Sequence, residues 1–150
     1  MIHIYTDGGC SGNPGPGGWA YVIIKDDAVI AEEWGAEIST TNNRMELLAA
    51  ISALEAMPPL CSGPCDGSEK AVVYTDSQYV QKGMTLWMAN WKSKGWKTSG
   101  KDPVKNQDLW QRLDALAAGF SLSWVWVKGH AGNEFNERCD KLTQKAIASL

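Results

Sequence analysis

Three short runs of alternating or consecutive apolar residues open the chain, at 2–5, 19–25 and 29–36. Runs of this length and pattern predict strands. Between them lie the glycine-rich Gly8-Gly9-Cys10-Ser11-Gly12-Asn13-Pro14-Gly15-Pro16-Gly17-Gly18 and the Asp26-Asp27 turn. Connections this short predict an antiparallel meander. Over 41–57 the period lengthens, with Leu47, Leu48, Ile51 and Leu54 at helical spacing and Pro58-Pro59 as the stop. Residues 58–69 hold three prolines, two cysteines and two glycines and predict a surface loop. A strand ending at Asp76 follows, then a helix broken near Gly83, a stretch over 87–96, and a lysine-rich loop to Asn106. Leu109, Leu113 and Leu116 mark a further helix, 123–127 a last strand, and 133–150 a last helix with Phe135, Cys139, Leu142 and Ala146 toward the core. The order βββαβααβα predicts an α/β mixed sheet with helices packed on it.

The 150 residues, 44% hydrophobic, suit a single domain over 1–150. The longest apolar run, residues 19–24, is too short to span a membrane, and no basic segment followed by a cleavable apolar stretch opens the chain. A soluble cytoplasmic protein is the expectation. Four cysteines in a chain with a full core read as free thiols, and Cys61 and Cys65 lack the second ligand pair of a zinc site. The net charge of −3 hides an asymmetry: residues 90–112 carry six basic and two acidic groups, a net of +4, leaving −7 for the remainder. A basic segment on an acidic body predicts a localised anion contact, such as a phosphate backbone.

Tyr-Thr-Asp occurs twice, at Tyr5-Thr6-Asp7 and Tyr74-Thr75-Asp76, each time after an apolar run. Side chains alternate along a strand, so each aspartate shares a face with its tyrosine and sits at the strand's carboxyl end. On neighbouring parallel strands, about 4.8 Å apart, the two carboxylates would converge. Like charges that close call for a shared proton or a cation, and oxygen ligands favour Mg²⁺ or Mn²⁺. Each acid also has an ordinary reading: Asp7-Gly8 as a turn, Asp76 as a helix cap, Glu46 as the partner of Asn43 in a capping box, Asp140 as part of a solvated face. Taken jointly, Asp7, Glu46, Asp76 and Asp140 can surround one point, and four carboxylates suit two Mg²⁺ ions about 3.5 to 4 Å apart, an arrangement used in phosphodiester cleavage. His130, in Lys128-Gly129-His130-Ala131-Gly132-Asn133, stands in a glycine-flanked loop where an imidazole could shuttle protons. Trp87, Trp91, Trp96 and Trp110 interleave with the lysines of 87–112. They read either as the core of a small helical subdomain or, with Lys92, Lys94, Lys97 and Lys105, as a nucleic-acid surface. The glycine-rich run lacks the Gly-Lys-Ser/Thr ending of a phosphate loop and is followed by a strand, which excludes a nucleotide-binding fingerprint.

Several segments together resemble the bacterial type 1 ribonucleases H. They are Tyr5 to Gly15, Thr40-Thr41-Asn42-Asn43-Arg44-Met45-Glu46-Leu47, Tyr74-Thr75-Asp76-Ser77-Gln78-Tyr79-Val80, Asn90-Trp91-Lys92, Gly95-Trp96-Lys97-Thr98, Asp108-Leu109-Trp110, Val127-Lys128-Gly129-His130 and Asn136-Glu137-Arg138-Cys139-Asp140. The resemblance covers essentially the whole chain. It implies a ribonuclease H-like fold, a five-stranded mixed sheet of three antiparallel then two parallel strands, with a basic helical protrusion. It also implies an endonuclease that cuts the RNA strand of RNA/DNA hybrids, leaving 5'-phosphate and 3'-hydroxyl ends. On this likeness Asp7, Glu46, Asp76 and Asp140 bind the catalytic metal, Mg²⁺ with Mn²⁺ as a substitute, and His130 transfers protons. Asn13, Glu46 and Gln78 would contact RNA 2'-hydroxyls, and Thr41 and Asn43 a DNA phosphate. The segment from Trp87 through Lys92, Lys94, Trp96 and Lys97 to Lys105 would be the protrusion, and members carrying one act as monomers. Residues 58–69 depart from the pattern, being several residues longer than the usual connection and bringing in Cys61 and Cys65.

Two competing readings are a transposase-like or exonuclease-like relative and a non-catalytic hybrid-binding module. The Thr-Asn-Asn-Arg-Met-Glu and Lys-Gly-His-Ala-Gly segments disfavour the first. The second would be expected to lack at least one carboxylate, and all four are present.

Overall fold

A computed structural model of the chain describes residues 1–61, 63–128 and 133–150. Its five strands are β1 (Ile2–Cys10), β2 (Gly15–Lys25), β3 (Ala28–Thr40), β4 (Lys70–Thr75) and β5 (Ser121–Trp126). They form one sheet in the order β3-β2-β1-β4-β5, with β1, β2 and β3 antiparallel and β4 and β5 parallel to β1. This is the expected five-stranded mixed sheet. The helices are α1 (Asn42–Ala56), α2 (Gln78–Lys82), α3 (Met88–Ser93), α4 (Gln107–Ala117) and α5 (Glu134–Ala148).

Strand alternation builds two cores, one on each side of the sheet. On one side Ile2, Ile4, Ile23, Ala71 and Val73 pack with Leu47, Ile51 and Leu54 of α1, and with Val80, Leu109, Trp110 and Leu113. On the other, Tyr5, Ala20, Val22 and Ile24 pack with Cys139, Phe135 and Leu142 of α5. Of the apolar residues predicted to face the core from α5, Phe135, Cys139 and Leu142 pack into this second core, and Ala146 is fully buried beside Gly18.

The glycine-rich run differs from its predicted role as a loop. Most of it is paired strand: Gly8, Gly9 and Cys10 of β1 stand opposite Trp19, Gly18 and Gly17 of β2, so the turn shrinks to residues 11–14. The glycines are required by helices that approach closely. A Cβ on Gly8 would lie 2.6 Å from Glu46 N, and one on Gly18 would lie 2.9 Å from Ala146 Cβ. β3 likewise runs on to Thr40, four residues past its predicted end.

Gly83 does not break its helix. The chain passes from α2 through one π-helical turn, Gly83–Trp87, directly into α3. The missing side chain leaves room for the Trp110 indole, whose Cζ3 would lie 2.6 Å from a Cβ there. Beyond α3 the lysine-rich segment folds back on itself through Thr98 N to Asp102 O (2.8 Å) and Val104 N to Trp96 O (3.1 Å).

Candidate active site

β1 and β4 run side by side with Tyr5 opposite Tyr74 and Thr6 opposite Thr75. Thr6 and Thr75 form the last parallel pair, so Asp7 and Asp76 emerge together where the two strands part. Asp76 follows the end of β4, but Asp7 lies inside β1, which continues beside β2 for three more residues. The strand end predicted at Asp7 is thus the end of its pairing with β4 alone. Trp126 Nε1 donates to Asp76 O at 3.0 Å and fixes that backbone from β5.

Glu46 arrives from α1. Thr41 caps this helix, its Oγ1 accepting from Arg44 N at 3.3 Å, which displaces Asn43 from the capping role that its spacing to Glu46 suggested. Ser77, not Asp76, caps α2 by accepting from Val80 N at 3.1 Å. Both acids are therefore released from the structural duties that sequence spacing allowed them. The start of α1 is tied to the β1–β2 turn by Cys10 N donating to Asn42 Oδ1 (2.8 Å) and Asn42 N donating to Asn13 Oδ1 (3.2 Å). With Gly8 admitting the helix against the sheet, Glu46 is pressed into the gap between the two aspartates.

One carboxylate oxygen from each of Asp7, Glu46 and Asp76 lies within 4.8 Å of the other two. Asp7 and Glu46 are 6% and 7% exposed, far below what an unpaired charge tolerates. Burial, reinforced by the charge of Asp76, raises the Asp7 pKa to about 8. Burial, with Asp76 and Asp7 adding to it, pushes Glu46 well above the usual carboxylate range. Asp76 is also raised by burial, against the opposing pull of hydrogen bonds with Glu46 and Asp7. Thr75 Oγ1 makes a long hydrogen bond of 3.5 Å to Glu46 Oε2, while the buried Glu46 Oε1 has no hydrogen-bond partner among the described residues. Three hard oxygen donors, one with an orphaned buried atom, fit a divalent cation of the Mg²⁺ or Mn²⁺ kind.

Asp140 stands outside this tight trio, half-buried on α5, where its charge acts on both Asp7 and Asp76. The helix is docked beside Asp7 by Thr143 Oγ1 donating to Asp7 O (3.4 Å) and by the Cys139 thiol against Ala20 O (3.3 Å). His130 lies outside the described residues.

The expected substrate contacts fall into two places. Asn13, Thr41, Asn43 and Lys105 line one cavity of about 390 Å³ together with Asn106. Lys94, Lys97 and Lys101, with Thr98 and Ser99, line a depression of about 600 Å³ on the protrusion. Gln78 is exposed on the first turn of α2, just past Asp76. Lys92 is engaged with Asp114 at 3.2 Å. Trp87 and Trp96 are half-buried and both pack on Trp91, at 5.8 and 6.2 Å between centroids, and Trp91 in turn packs on the buried Trp110 at 5.1 Å. The aromatic residues thus form the core of the protrusion first, as the plainer of the two sequence readings held.

Arg44 and Asn106 escaped the sequence reading. Arg44 donates to both carboxylate oxygens of Asp108 (3.2 and 3.0 Å) and to Asn106 Oδ1 (3.2 Å), and Asn106 Nδ2 donates to Tyr79 OH (3.2 Å). The network braces one wall of that cavity, where the start of α1 meets the segment leading into α4. The signal for Asn106 was its place just before α4, but its left-handed backbone, φ 58°, sends the side chain to Arg44 instead of capping the helix.

Comparison with known proteins places this arrangement. The sequence profile of the RNase H family matches residues 1–148. The ribonuclease H of Treponema denticola is 55% identical over 157 aligned residues, covering 99% of this chain and 98% of its own. That of Chromobacterium violaceum is 53% identical over 150, covering 99% and 96%. Among solved structures, LC9-RNase H1, described as a type 1 RNase H with the type 2 active-site motif, superposes with a TM-score of 0.82 at 33% identity, over 99% of this chain and 72% of that one. LC11-RNase H1, solved in complex with RNA/DNA hybrid, gives 0.72 at 26% identity over 99% and 98%. The chain therefore belongs to the RNase H family, and as a member it is an endoribonuclease, a phosphodiester hydrolase.

Proposed function

We propose that this protein hydrolyses the RNA strand of RNA/DNA hybrids as a metal-dependent endonuclease, leaving 5'-phosphate and 3'-hydroxyl ends. The observation that carries the reading is the convergence of Asp7, Glu46 and Asp76 within 4.8 Å around a buried Glu46 oxygen that has no hydrogen-bond partner among the described residues. Family membership and the fold support the substrate class. Asp7, Glu46, Asp76 and Asp140 would hold Mg²⁺, or Mn²⁺ in its place, which would supply activation of water and stabilisation of the leaving oxygen, with two ions in the full form of this chemistry.

The chain's own side chains do the rest. Burial leaves Asp7 and Glu46 poor in solvent, so their oxygens favour a cation over water. Asn13, Glu46 and Gln78 flank the cleavage point and read the 2'-hydroxyl, the group that separates RNA from DNA. Thr41, Asn43 and Lys105 take a phosphate of the DNA strand in the cavity they line, braced by Arg44. Lys94 and Lys97 hold the duplex further out, with Lys92, Trp87 and Trp96 shaping the protrusion behind them. His130 moves the proton between water and the departing oxygen. The protein works in the cytoplasm as a single domain, 1–150, and acts as a monomer, since the protrusion supplies the substrate grip from within the chain.

A non-catalytic binding module is disfavoured by the retention of all four carboxylates, which binding alone would not require. Purified protein with Mg²⁺ is expected to cut the RNA of a hybrid and to spare single-stranded RNA and duplex DNA. Equal cutting of all three would defeat the proposal.

A further inference from the structure

The extended connection at residues 58–69 plays no part in the site. It leaves the end of α1 and enters β4 at Lys70, at the opposite end of that strand from Asp76. Six strand residues separate the two, about 20 Å at the usual rise. Within this connection Cys61 and Cys65 bring their sulfurs to 3.8 Å, touching but unbonded.

Both cysteines are held from behind. Cys61 is half-buried, its thiol donates to Met57 O at 3.3 Å, and its N–H meets Pro58 O at 3.4 Å. Cys65 is exposed but seated on the turn after α4: a Cβ at Gly119 would lie 3.8 Å from Cys65 Cβ. Gly67 N donates to Gly119 O at 3.1 Å, with Gly67 at φ 95°, and straps the same segment to that turn. Bonding distance is reached by a shift of less than about 2 Å at the exposed Cys65 side chain.

We propose that Cys61 and Cys65 are a reversible dithiol–disulfide clasp, oxidised by small-molecule disulfides, that joins the end of α1 to the strap on the α4–β5 turn. Cys65 enters first because it is exposed. Its thiolate attacks one sulfur of the small disulfide, releases one thiol and leaves a mixed disulfide. Cys61 then gives up its proton and attacks Cys65 Sγ, forming the protein S–S bond and expelling the second thiol. Two protein S–H bonds are lost, one S–S bond is gained, and two electrons reduce the small disulfide to two thiols. Burial, with Cys65 adding to it, raises the Cys61 thiol to about 11, so it resolves and does not initiate.

The closed clasp constrains the unfolded chain and leaves the distant carboxylates untouched. Oxidation of the full-length protein with oxidised glutathione is therefore expected to remove two hydrogens from the peptide that holds both cysteines. It should raise the thermal midpoint by about 5 °C, reversibly with dithiothreitol, with hybrid cleavage unchanged. Cys61→Ser should stop at a persistent glutathione adduct on Cys65, and Cys65→Ser should stay unmodified at position 61 under the same conditions. A stable adduct on Cys65 in the unaltered chain, pairing with Cys10 or Cys139, or an unchanged midpoint after bridging would overturn the proposal. The readout is covalent mass and thermal stability, so it stands or falls separately from the assigned activity.

Discussion

Tyr5 and Tyr74 lie directly opposite each other on parallel strands, their rings stacked at 4.5 Å between centroids and 11° from parallel. Offset aromatic pairs of this kind add about 0.5 to 1.5 kcal/mol beyond the area they bury. Their larger consequence is positional. Each strand carries its aspartate two residues further along the same face, so the stacked pair sets the register that delivers Asp7 beside Asp76. The duplicated Tyr-Thr-Asp is one geometric requirement met on two strands.

Asp7→Asn removes one carboxylate ligand and leaves both the protrusion and the cavity lined by Thr41, Asn43 and Lys105 intact. Cleavage supported by Mg²⁺ should fall by at least about a hundredfold, since even groups behind a metal ligand are worth 10- to 100-fold. Binding of the hybrid, measured by fluorescence anisotropy, should hold. Near-normal turnover in this variant would remove Asp7 from the metal site.

Metal-free protein should lose stability as pH rises. Asp7 is raised from 3.8 to about 8 in the fold, so across that window the folded chain holds a proton that the unfolded chain has released. The stabilisation is complete below about pH 4 and is lost on approach to pH 8, at up to about 1.4 kcal/mol per pH unit. Urea unfolding in chelator should therefore show Asp7→Asn gaining stability relative to the parent as pH increases. Excess Mg²⁺ should abolish the difference by stabilising the ionised parent. A stability difference independent of pH would contradict the buried, proton-sharing cluster.

Gly8→Ala should be costly although it adds only a methyl group. The new Cβ would meet Met45 O and Glu46 N, each 2.6 Å away. These are helix backbone atoms with no rotamer to yield. Overpacking of this kind costs about 1 to 3 kcal/mol, and relief requires α1 to move, carrying Glu46 off the aspartates. Denaturation and cleavage assays should show both losses together. Retained activity at reduced stability would show that Glu46 tolerates displacement.

Lys94→Ala with Lys97→Ala should flatten the salt dependence of hybrid binding. Each phosphate contact contributes about 0.9 to the slope of log affinity against log salt, so the pair should lower it by about 2. Lys92→Ala should change it less, because Asp114 already engages that ammonium. An unchanged slope in the double variant would exclude both lysines from the contact.

Much of this was legible because period and punctuation are local properties. The five strands, the helices and the convergence of the acids follow from alternation, helical spacing and the repeated tripeptide. What escaped the reading depends on neighbours distant in sequence. Gly8 and Gly18 read as loop residues because glycine usually marks a turn, whereas here they admit α1 and α5 against the sheet. Gly83 read as a break because the Trp110 indole that fills its space comes from another helix. The capping box at Asn43 failed because Thr41 begins the helix two residues earlier and frees Glu46 for the site. Nor could spacing alone pair Arg44 with Asp108, 64 residues away.

The central claim is that the buried carboxylates work through a divalent cation. A hybrid labelled on both strands, incubated with protein stripped of metal by chelation and then supplied with Mg²⁺, tests this most directly. No cleavage in chelator, with cutting of the RNA strand alone restored by Mg²⁺, is the predicted result. Cleavage that persists in chelator at an undiminished rate would contradict it.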